Sequence, residues 1–216
     1  LFPFKNAGAW GSRGHELTVN AGNGLVKDIA FKNCHTTKAQ IEEHVTDPDL
    51  KWKKDRKRHP DEDRAHYFHV DKQPKDWKNK KEPTNIEEGF LVYRIIQWMD
   101  KAKQQRKEEK WSELSETLYG LAHYVGDLTM PLHATSDHDG EEVGLPDLHK
   151  QWESVMIGRY EKDFKEMVAL RLKKEKIPTT WKSQNFNSLI FTTAEQSYAK
   201  AEKLFNLCRP AYGMQN

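Results

Sequence analysis

Two pairs of residues in this sequence have the types and the spacing of metal ligands. His123 is followed four residues later by Asp127, and His149 is followed four residues later by Glu153. Residues four apart lie on one face of a helix, so each pair would present a nitrogen and a carboxylate oxygen to the same ion. Zinc accepts this mixture of donors, and the two pairs therefore predict metal binding.

Spacing alone is a weak signal in a charged chain that is rich in histidine. Ten histidines and 33 acidic residues among 216 positions give about 1.5 such pairs by chance, and the sequence contains five. The other three begin at His59, His133 and His138, in segments that are predicted to be loops. The pair at His123 stands out because aliphatic residues surround it, and a buried carboxylate is costly unless it is paired or binds a metal. The alternative explanation is a set of hydrogen-bonded core or surface histidines.

Helices must position these ligands, because apolar residues recur at helical spacing and no segment alternates as a strand would. Asn85 and Asp147 are predicted helix N-caps, and residues 46–84 are predicted to be a charged loop. The predicted helices span approximately 14–31, 37–45, 85–107, 111–128, 147–176 and 188–207. The predicted fold is all-α, a multi-helix bundle in one domain.

Composition excludes several classes of protein. A hydrophobic content of 36% and an aromatic content of 11% are too high for a disordered chain. The longest apolar stretch is broken by Arg94 and is shorter than the ~20 residues of a membrane-spanning helix. The spacing of Cys34 and Cys208 excludes a CxxC motif and leaves a disulfide and two free thiols equally open. The HExxH, ExxH, Walker and GxGxxG motifs are absent.

The net charge of +2 conceals a basic segment between Lys51 and Lys81, which has twelve Lys and Arg residues against six Asp and Glu. Trp52 and Trp77 lie within it. Basic residues interleaved with aromatic ones suit nucleic acid, and they suit an anionic membrane surface equally well. A solvated charged loop explains the same pattern.

Three motifs carry a resemblance to known enzymes. The segment HYVGDLTMPLHA, residues 123–134, resembles the signature of the zinc-dependent phospholipases C and of the related single-strand-specific zinc nucleases, which usually have Phe where Tyr124 stands. The segment LHKQWES, residues 148–154, resembles the nucleases' His-x-x-Trp-acid motif. The segment WGSRGH, residues 10–15, resembles the mature N-terminus of the nucleases.

The resemblance implies an all-helical fold with three zinc ions in one cleft. The implied ligands are Asp49, His66, His123 and Asp127 for one ion, His133, His149 and Glu153 for a second, and His15, Asp127 and the amino group and carbonyl of Trp10 for a third. Asp47 and Asp55 are rivals of Asp49, and His69 is a rival of His66. No substrate-binding residue can be assigned from the resemblance.

The N-terminus bears on the ligand role of Trp10. Ala7, Gly8 and Ala9 form the small-x-small pattern after which signal peptidase cleaves, and cleavage there would free the amino group of Trp10. We therefore expect residues 1–9 to be a signal-peptide remnant or an N-terminal extension and residues 10–216 to be the catalytic domain. A secreted or periplasmic protein is expected. An ordinary N-terminal segment is the alternative.

The implied activity is phosphodiester hydrolysis by metal-activated water, with Asp49 as the catalytic residue that orients the water or acts as base. The HYxGD form favours a phospholipase C that acts on phospholipid at a membrane surface, and this interpretation ranks first. The WGxxGH and HxxWE forms favour a single-strand-specific zinc endonuclease acting on DNA or RNA, which ranks second. A non-catalytic helical protein that binds zinc or a partner is the third interpretation. The sequence leaves the oligomeric state open.

Overall fold

The computed structural model describes residues 11–24, 28–174 and 183–213. The described part of the chain is helical, and its only β-structure is an isolated antiparallel bridge between Phe68 and Gly89. The all-α prediction is therefore confirmed. The α-helices, in chain order, are α1 (Ser12–Asn23), α2 (Asp28–Lys32), α3 (Lys38–His44), α4 (Asp47–Leu50), α5 (Leu91–Lys107), α6 (Trp111–Leu128), α7 (Leu148–Lys150), α8 (Ile157–Arg159), α9 (Glu161–Lys174) and α10 (Ser183–Cys208).

Helices α5 and α6 form a hairpin at the centre of the main hydrophobic core. Tyr93 and Ile95 of α5 and Tyr124 of α6 are almost fully buried, and Trp98 meets Tyr124 edge to face with ring centroids 5.3 Å apart. Helix α10 packs against both helices through apolar residues that include Ile190. Burying each large apolar side chain contributes about 1.5–3 kcal/mol, so α6 is a firmly held platform for its polar residues.

Helix α5 begins later than the sequence predicts. Asn85 caps a 3-10 turn at Ile86–Glu88 instead of the long helix, and α5 starts at Leu91. The reason is Gly89, whose φ of +80° interrupts the helix, and where an added Cβ would lie 2.1 Å from the carbonyl oxygen of Tyr67. The prediction of Asn85 as the N-cap of the long helix is wrong.

The predicted helix at 147–176 is divided. Asp147 has a left-handed conformation with φ 63° and no capping hydrogen bond from its side chain, and α7 follows it. A π-helical turn at Gln151–Met156 then leads into α8, and α9 begins after a break at Tyr160. π-helical turns are rare and often occur at functional sites, and this one contains Glu153.

Other boundaries agree with the predictions more closely. Helix α6 has the predicted bounds, and α3 is capped by the side chain of Thr37, which accepts a hydrogen bond from the backbone of Gln40. The predicted helix at 14–31 corresponds to α1 and α2, and residues 25–27 between them lie outside the described residues. The predicted loop at 46–84 contains α4 and several short 3-10 turns.

The structure also bears on the membrane and cysteine expectations. None of the described helices combines the length and the apolar content that crossing a bilayer requires. Cys34 and Cys208 are free thiols.

Candidate metal centre

The centre of the site is a pair of residues on α6. The side chains of His123 and Asp127 are completely buried, and His123 Nε2 lies 3.2 Å from Asp127 Oδ2. His123 Nδ1 lies 2.8 Å from the carbonyl oxygen of Val45. A carbonyl can only accept, so Nδ1 carries the proton and Nε2 keeps a free lone pair, which is the arrangement of a metal-binding imidazole.

Helix α1 brings a second imidazole to this pair. The ring of His15 is fully buried and stacks on that of His123 at 3.8 Å, and His15 Nε2 lies 3.3 Å from Asp127 Oδ1. The approach depends on Gly126, where an added Cβ would lie 3.0 Å from His15 Nδ1. The glycine in the last turn of α6 therefore has a packing reason.

Two residues of the segment 46–84 complete the buried part of the site. His66 Nδ1 lies 2.9 Å from Asp127 Oδ2 and 3.0 Å from His123 Nε2. Asp49 Oδ1 lies 3.5 Å from His66 Nδ1, and Asp49 Oδ2 lies 3.7 Å from His123 Nε2. We call the set of His15, Asp49, His66, His123 and Asp127 the inner cluster.

The structure gives the rival residues other partners. Asp47 lies 2.9 Å from His44 and 2.8 Å from Lys51, and Asp55 accepts a hydrogen bond from the backbone of Arg58. His69 Nδ1 lies 3.0 Å from Glu88 Oε2. The fold thus brings Asp49 and His66, rather than their rivals, to the inner cluster.

Three further predicted ligands form a separate group, which we call the outer cluster: His133, His149 and Glu153. His133 comes from the 3-10 turn at Pro131–Ala134, His149 from α7 and Glu153 from the π-helical turn. Glu153 Oε1 lies 2.8 Å from His149 Nε2 and 3.2 Å from His133 Nε2. His133 Nδ1 lies 3.4 Å from Asp127 Oδ1, so the two clusters are adjacent.

The clusters fit metal ions because several of their buried atoms have no hydrogen-bond partner among the described residues. A buried unsatisfied polar atom costs about 1–3 kcal/mol, and a cation would satisfy these atoms together. The atoms are both ring nitrogens of His15, Asp127 Oδ1, His133 Nδ1 and Glu153 Oε1. Three groups have ligand atoms within 4.8 Å of one another: His15, His123 and Asp127; Asp49, His66 and His123; and His133, His149 and Glu153.

The carboxylates of the site are held in their ionised form. Burial alone raises the pKa of Asp127, but the imidazoles of His123, His133 and His15 outweigh it and hold the pKa well below the usual aspartate value. The pKa of Glu153 is likewise lowered, because His133 and His149 outweigh the effect of burial. Negatively charged oxygens at the centre of the fold are the ligands that a divalent cation needs.

Two charged residues beside the inner cluster, the partly buried Lys53 and the buried Glu62, are not predicted by the sequence patterns. Lys53 Nζ donates to Asp49 Oδ1 at 2.6 Å; burial lowers the pKa of Lys53, but the Asp49 carboxylate outweighs this and raises it. Glu62 is 1% exposed and lies four residues before His66. The spacing rule that pairs each histidine with an acid four residues later does not include Glu62, because Glu62 precedes its histidine. The same rule applied in both directions would include it.

The clusters open onto a cleft of about 500 Å³. Three rings on its wall lie nearly parallel. Tyr67 stacks on His69 at 4.6 Å with an interplanar angle of 17°, and His69 faces His138 at 6.2 Å with an angle of 9°. His138 in turn meets His149 of the outer cluster edge to face at 5.8 Å. Unsaturated rings therefore extend from the metal ligands along the wall of the cleft.

The basic segment is less open to a polyanion than its composition suggests. Trp52 and Trp77 are only 6% and 5% exposed, so neither ring is available for base stacking. Seven of the twelve cations have ion-pair partners in the described structure: Lys51–Asp47, Lys53–Asp49, Arg56–Asp63, Arg58–Glu116, Arg64–Glu87, Lys78–Glu195 and Lys80–Asp76. The solvated charged surface is the better description of most of this segment.

Comparison with known proteins adds one match. The sequence profile of the family described as S1/P1 Nuclease matches residues 10–207, whereas a search of curated proteins finds no match. The match identifies a zinc-dependent phosphodiesterase, and the three donor groups agree with three zinc ions. It supports the nuclease interpretation better than the phospholipase C interpretation that ranked first. The role of each ligand stays a prediction, and Trp10 lies outside the described residues.

Proposed function

This chain belongs to the S1/P1 nuclease family, and on that premise we propose that it is a zinc-dependent endonuclease that hydrolyses single-stranded DNA or RNA. The observation that carries the proposal is the row of rings formed by Tyr67, His69 and His138 beside the outer cluster. Unpaired bases stack on such rings without regard to sequence. A base-paired strand keeps its bases stacked within the duplex and away from the wall of the cleft.

The cleft is poorly suited to a phospholipid. Among the described residues that line it, Leu132 is the one aliphatic side chain, and the others are imidazoles, acids, Tyr67 and Lys53. Acyl chains need a continuous apolar surface. The tyrosine that favoured a phospholipase, Tyr124, is completely buried, and its hydroxyl donates to Glu62. Its hydroxyl therefore serves the interior of the protein and does not meet a substrate.

The reaction needs a nucleophile and neutralisation of the phosphate charge. When bound, zinc lowers the pKa of a water molecule and polarises phosphoryl oxygens. Lys53 keeps its positive charge at the cleft wall, where it attracts a phosphate group. Asp49 is oriented through Oδ1 by Lys53, and its Oδ2 is directed toward His15 and His123. We expect that oxygen to accept a proton from the attacking water.

The experiment compares substrates on the zinc-loaded protein. We expect turnover of single-stranded DNA and RNA, much slower turnover of duplex DNA, and no release of head groups from phosphatidylcholine vesicles. Head-group release without cleavage of nucleic acid would contradict the proposal.

A variant of the ring row tests the role assigned to stacking. Tyr67→Ala is expected to raise the KM for a single-stranded oligonucleotide about tenfold, because base stacking contributes about 1–3 kcal/mol per base. The matched control is Tyr160→Ala, which removes a tyrosine that is 45% exposed and does not line the cleft. Equal KM values for the two variants would show that the ring of Tyr67 does not contribute to substrate binding.

A further inference from the structure

A buried carboxylate stands behind the inner cluster. Glu62 is 1% exposed and Tyr124 is 0% exposed. The Tyr124 hydroxyl donates to Glu62 Oε1 at 2.7 Å, and the same oxygen lies 3.2 Å from His66 Nε2. One carboxylate oxygen therefore joins a tyrosine of α6 to a histidine of the inner cluster.

Because of this contact, the two ring nitrogens of His66 have different partners: Nε2 faces Glu62, and Nδ1 faces the inner cluster. Ionised carboxylates can only accept, and His66 has one at each nitrogen: Asp127 at Nδ1 and Glu62 at Nε2. With a cation in the inner cluster, Nδ1 must offer its lone pair, so the proton of His66 lies on Nε2 and is donated to Glu62. His66 Nδ1 then presents a lone pair to the inner cluster, where it lies 2.9 Å from Asp127 Oδ2 and 3.0 Å from His123 Nε2. A histidine with the opposite tautomer would direct an N–H at the position that a cation requires.

The Glu62 carboxylate and the Val45 backbone carbonyl each contact the ring nitrogen of a predicted ligand histidine that faces away from the inner cluster, but only the carboxylate is charged. His123 is fixed by the neutral carbonyl of Val45 at 2.8 Å, whereas His66 is fixed by a carboxylate. A carboxylate makes the imidazole a more basic ligand than a carbonyl does. It also places a negative charge near the cation, with the imidazole of His66 between the two.

Both the backbone and the side-chain contacts fix the position of Glu62. It begins the 3-10 turn Glu62–His66, so the backbone that carries it ends at the histidine that it contacts. Tyr124 follows His123 directly on α6, which lets one rigid helix supply both a metal ligand and the hydroxyl that holds Glu62. Glu62 Oε2 has no hydrogen-bond partner among the described residues and lies 3.9 Å from His59 Nδ1, so the hydrogen bonds of the carboxylate are those of Oε1 with Tyr124 and His66.

We propose that Glu62 and Tyr124 are positioning residues for the inner metal ions: Tyr124 holds Glu62, and Glu62 holds His66 with its proton on Nε2 and its Nδ1 directed at the ion shared with Asp49 and His123. The proposal concerns metal binding and does not depend on which phosphodiester the protein cleaves.

The test measures zinc retention in the full zinc-loaded chain as a chelator is added. Glu62→Gln removes the charge and keeps the shape, and it is expected to weaken the zinc of the Asp49, His66 and His123 group about 10–100-fold. The ion of the outer cluster should be retained as in the unaltered protein. Tyr124→Phe should produce a smaller loss of the same ion, because Glu62 remains but is less firmly held.

The matched control is Tyr93→Phe. Tyr93 is as deeply buried on α5, and its hydroxyl donates to the carbonyl oxygen of Trp77 at 2.9 Å, away from the metal ligands. This variant removes the same atom and tests whether a general loss of stability explains the result. Zinc retention should equal that of the unaltered protein.

A second measurement separates orientation from stability. Nitrogen-15 NMR of the zinc-loaded protein should show a proton on His66 Nε2, and Glu62→Gln should weaken or remove that signal. Zinc retention in Glu62→Gln and Tyr124→Phe equal to that in Tyr93→Phe would overturn the proposal. A proton on His66 Nδ1 in the unaltered protein would overturn it as well.

Discussion

The inner and outer clusters hold similar ligands by different means. The inner cluster is centred on α6 and α1, two regular helices, and the side chains of His15, His123 and Asp127 are completely buried. The outer cluster is assembled from a 3-10 turn, a helix of three residues and a π-helical turn. The side chain of His149 is 20% exposed and borders the cleft. We therefore expect the inner site to retain its ions more firmly, and the outer site to expose its ion to substrate and solvent.

The largest expected effect comes from removing the carboxylate at the centre of the inner cluster. Asp127→Ala should release the ions of both inner groups and reduce phosphodiesterase turnover below detection, because Asp127 lies within 3.4 Å of four histidines. Metal analysis and turnover are measured on the same sample. The control is Asp137→Ala, which removes another buried aspartate, one that accepts hydrogen bonds from the backbone of Glu142 and Val143. Full metal content in Asp127→Ala would refute the cluster.

The corresponding change in the outer cluster should be more local. Glu153→Ala should release one zinc per chain, the outer one, and should leave the inner ions bound, because Glu153 contacts His133 and His149 but no inner histidine. Turnover should fall strongly while the melting temperature changes less than in Asp127→Ala. Loss of all three ions in this variant would show that the two clusters are one cooperative unit.

Chelation of the unaltered protein should separate the two clusters without any mutation. The outer ion should leave first and faster, because the side chain of His149 is 20% exposed, whereas no inner ligand has a side chain more than 5% exposed. Stopped-flow measurement of zinc release should therefore resolve a fast phase of one zinc and a slow phase of two. A single phase of three ions would contradict the distinction between the clusters.

The smallest expected effect concerns an ion pair near the surface that joins α1, the helix that carries His15, to α9. Arg13 of α1 binds Glu161 of α9 through Nε at 2.9 Å. The guanidinium of Arg13, together with the ammonium of Lys165, lowers the pKa of Glu161 from 4.5 to about 2. Because the folded-state pKa is lower than the unfolded one, the stabilisation is complete above pH 4.5 and is lost as the pH falls toward 2.

Both residues are close to the surface, so the pair contributes little to stability. Arg13→Gln should lower the melting temperature slightly at pH 7, and the difference should vanish near pH 2. Zinc content at pH 7 should be unchanged. A large loss of zinc in this variant would mean that the pair positions the clusters.

The same contrast explains how much of the site the sequence could predict. Helical spacing predicted that His123 and Asp127 share a face, and α6 has the predicted bounds, because its periodicity and the following Pro131 act locally. His149 and Glu153 meet as their spacing suggests, but a π-helical turn carries Glu153 where a regular helix was predicted. Local pattern contains no sign of that turn, which depends on tertiary packing.

Sequence periodicity could not predict which residues the tertiary fold brings together. Asp49 and His66 lie in a segment without helical pattern, and only the resemblance to a known family distinguished them from Asp47 and His69. Lys53 and Glu62 were missed because their roles depend on burial beside the cluster, which composition does not encode. The charge of the basic segment misled partly for the same reason, since three of its seven ion-pair partners, Glu116, Glu87 and Glu195, are distant in the sequence.

The central claim is that this fold holds three zinc ions in two adjacent clusters. The most direct test is anomalous diffraction at the zinc absorption edge from crystals of the zinc-loaded protein. The predicted result is three peaks: two beside Asp127, contacting His15 and His66 respectively, and one among His133, His149 and Glu153. Absence of a peak at either cluster, or a single ion enclosed by four protein ligands, would contradict it.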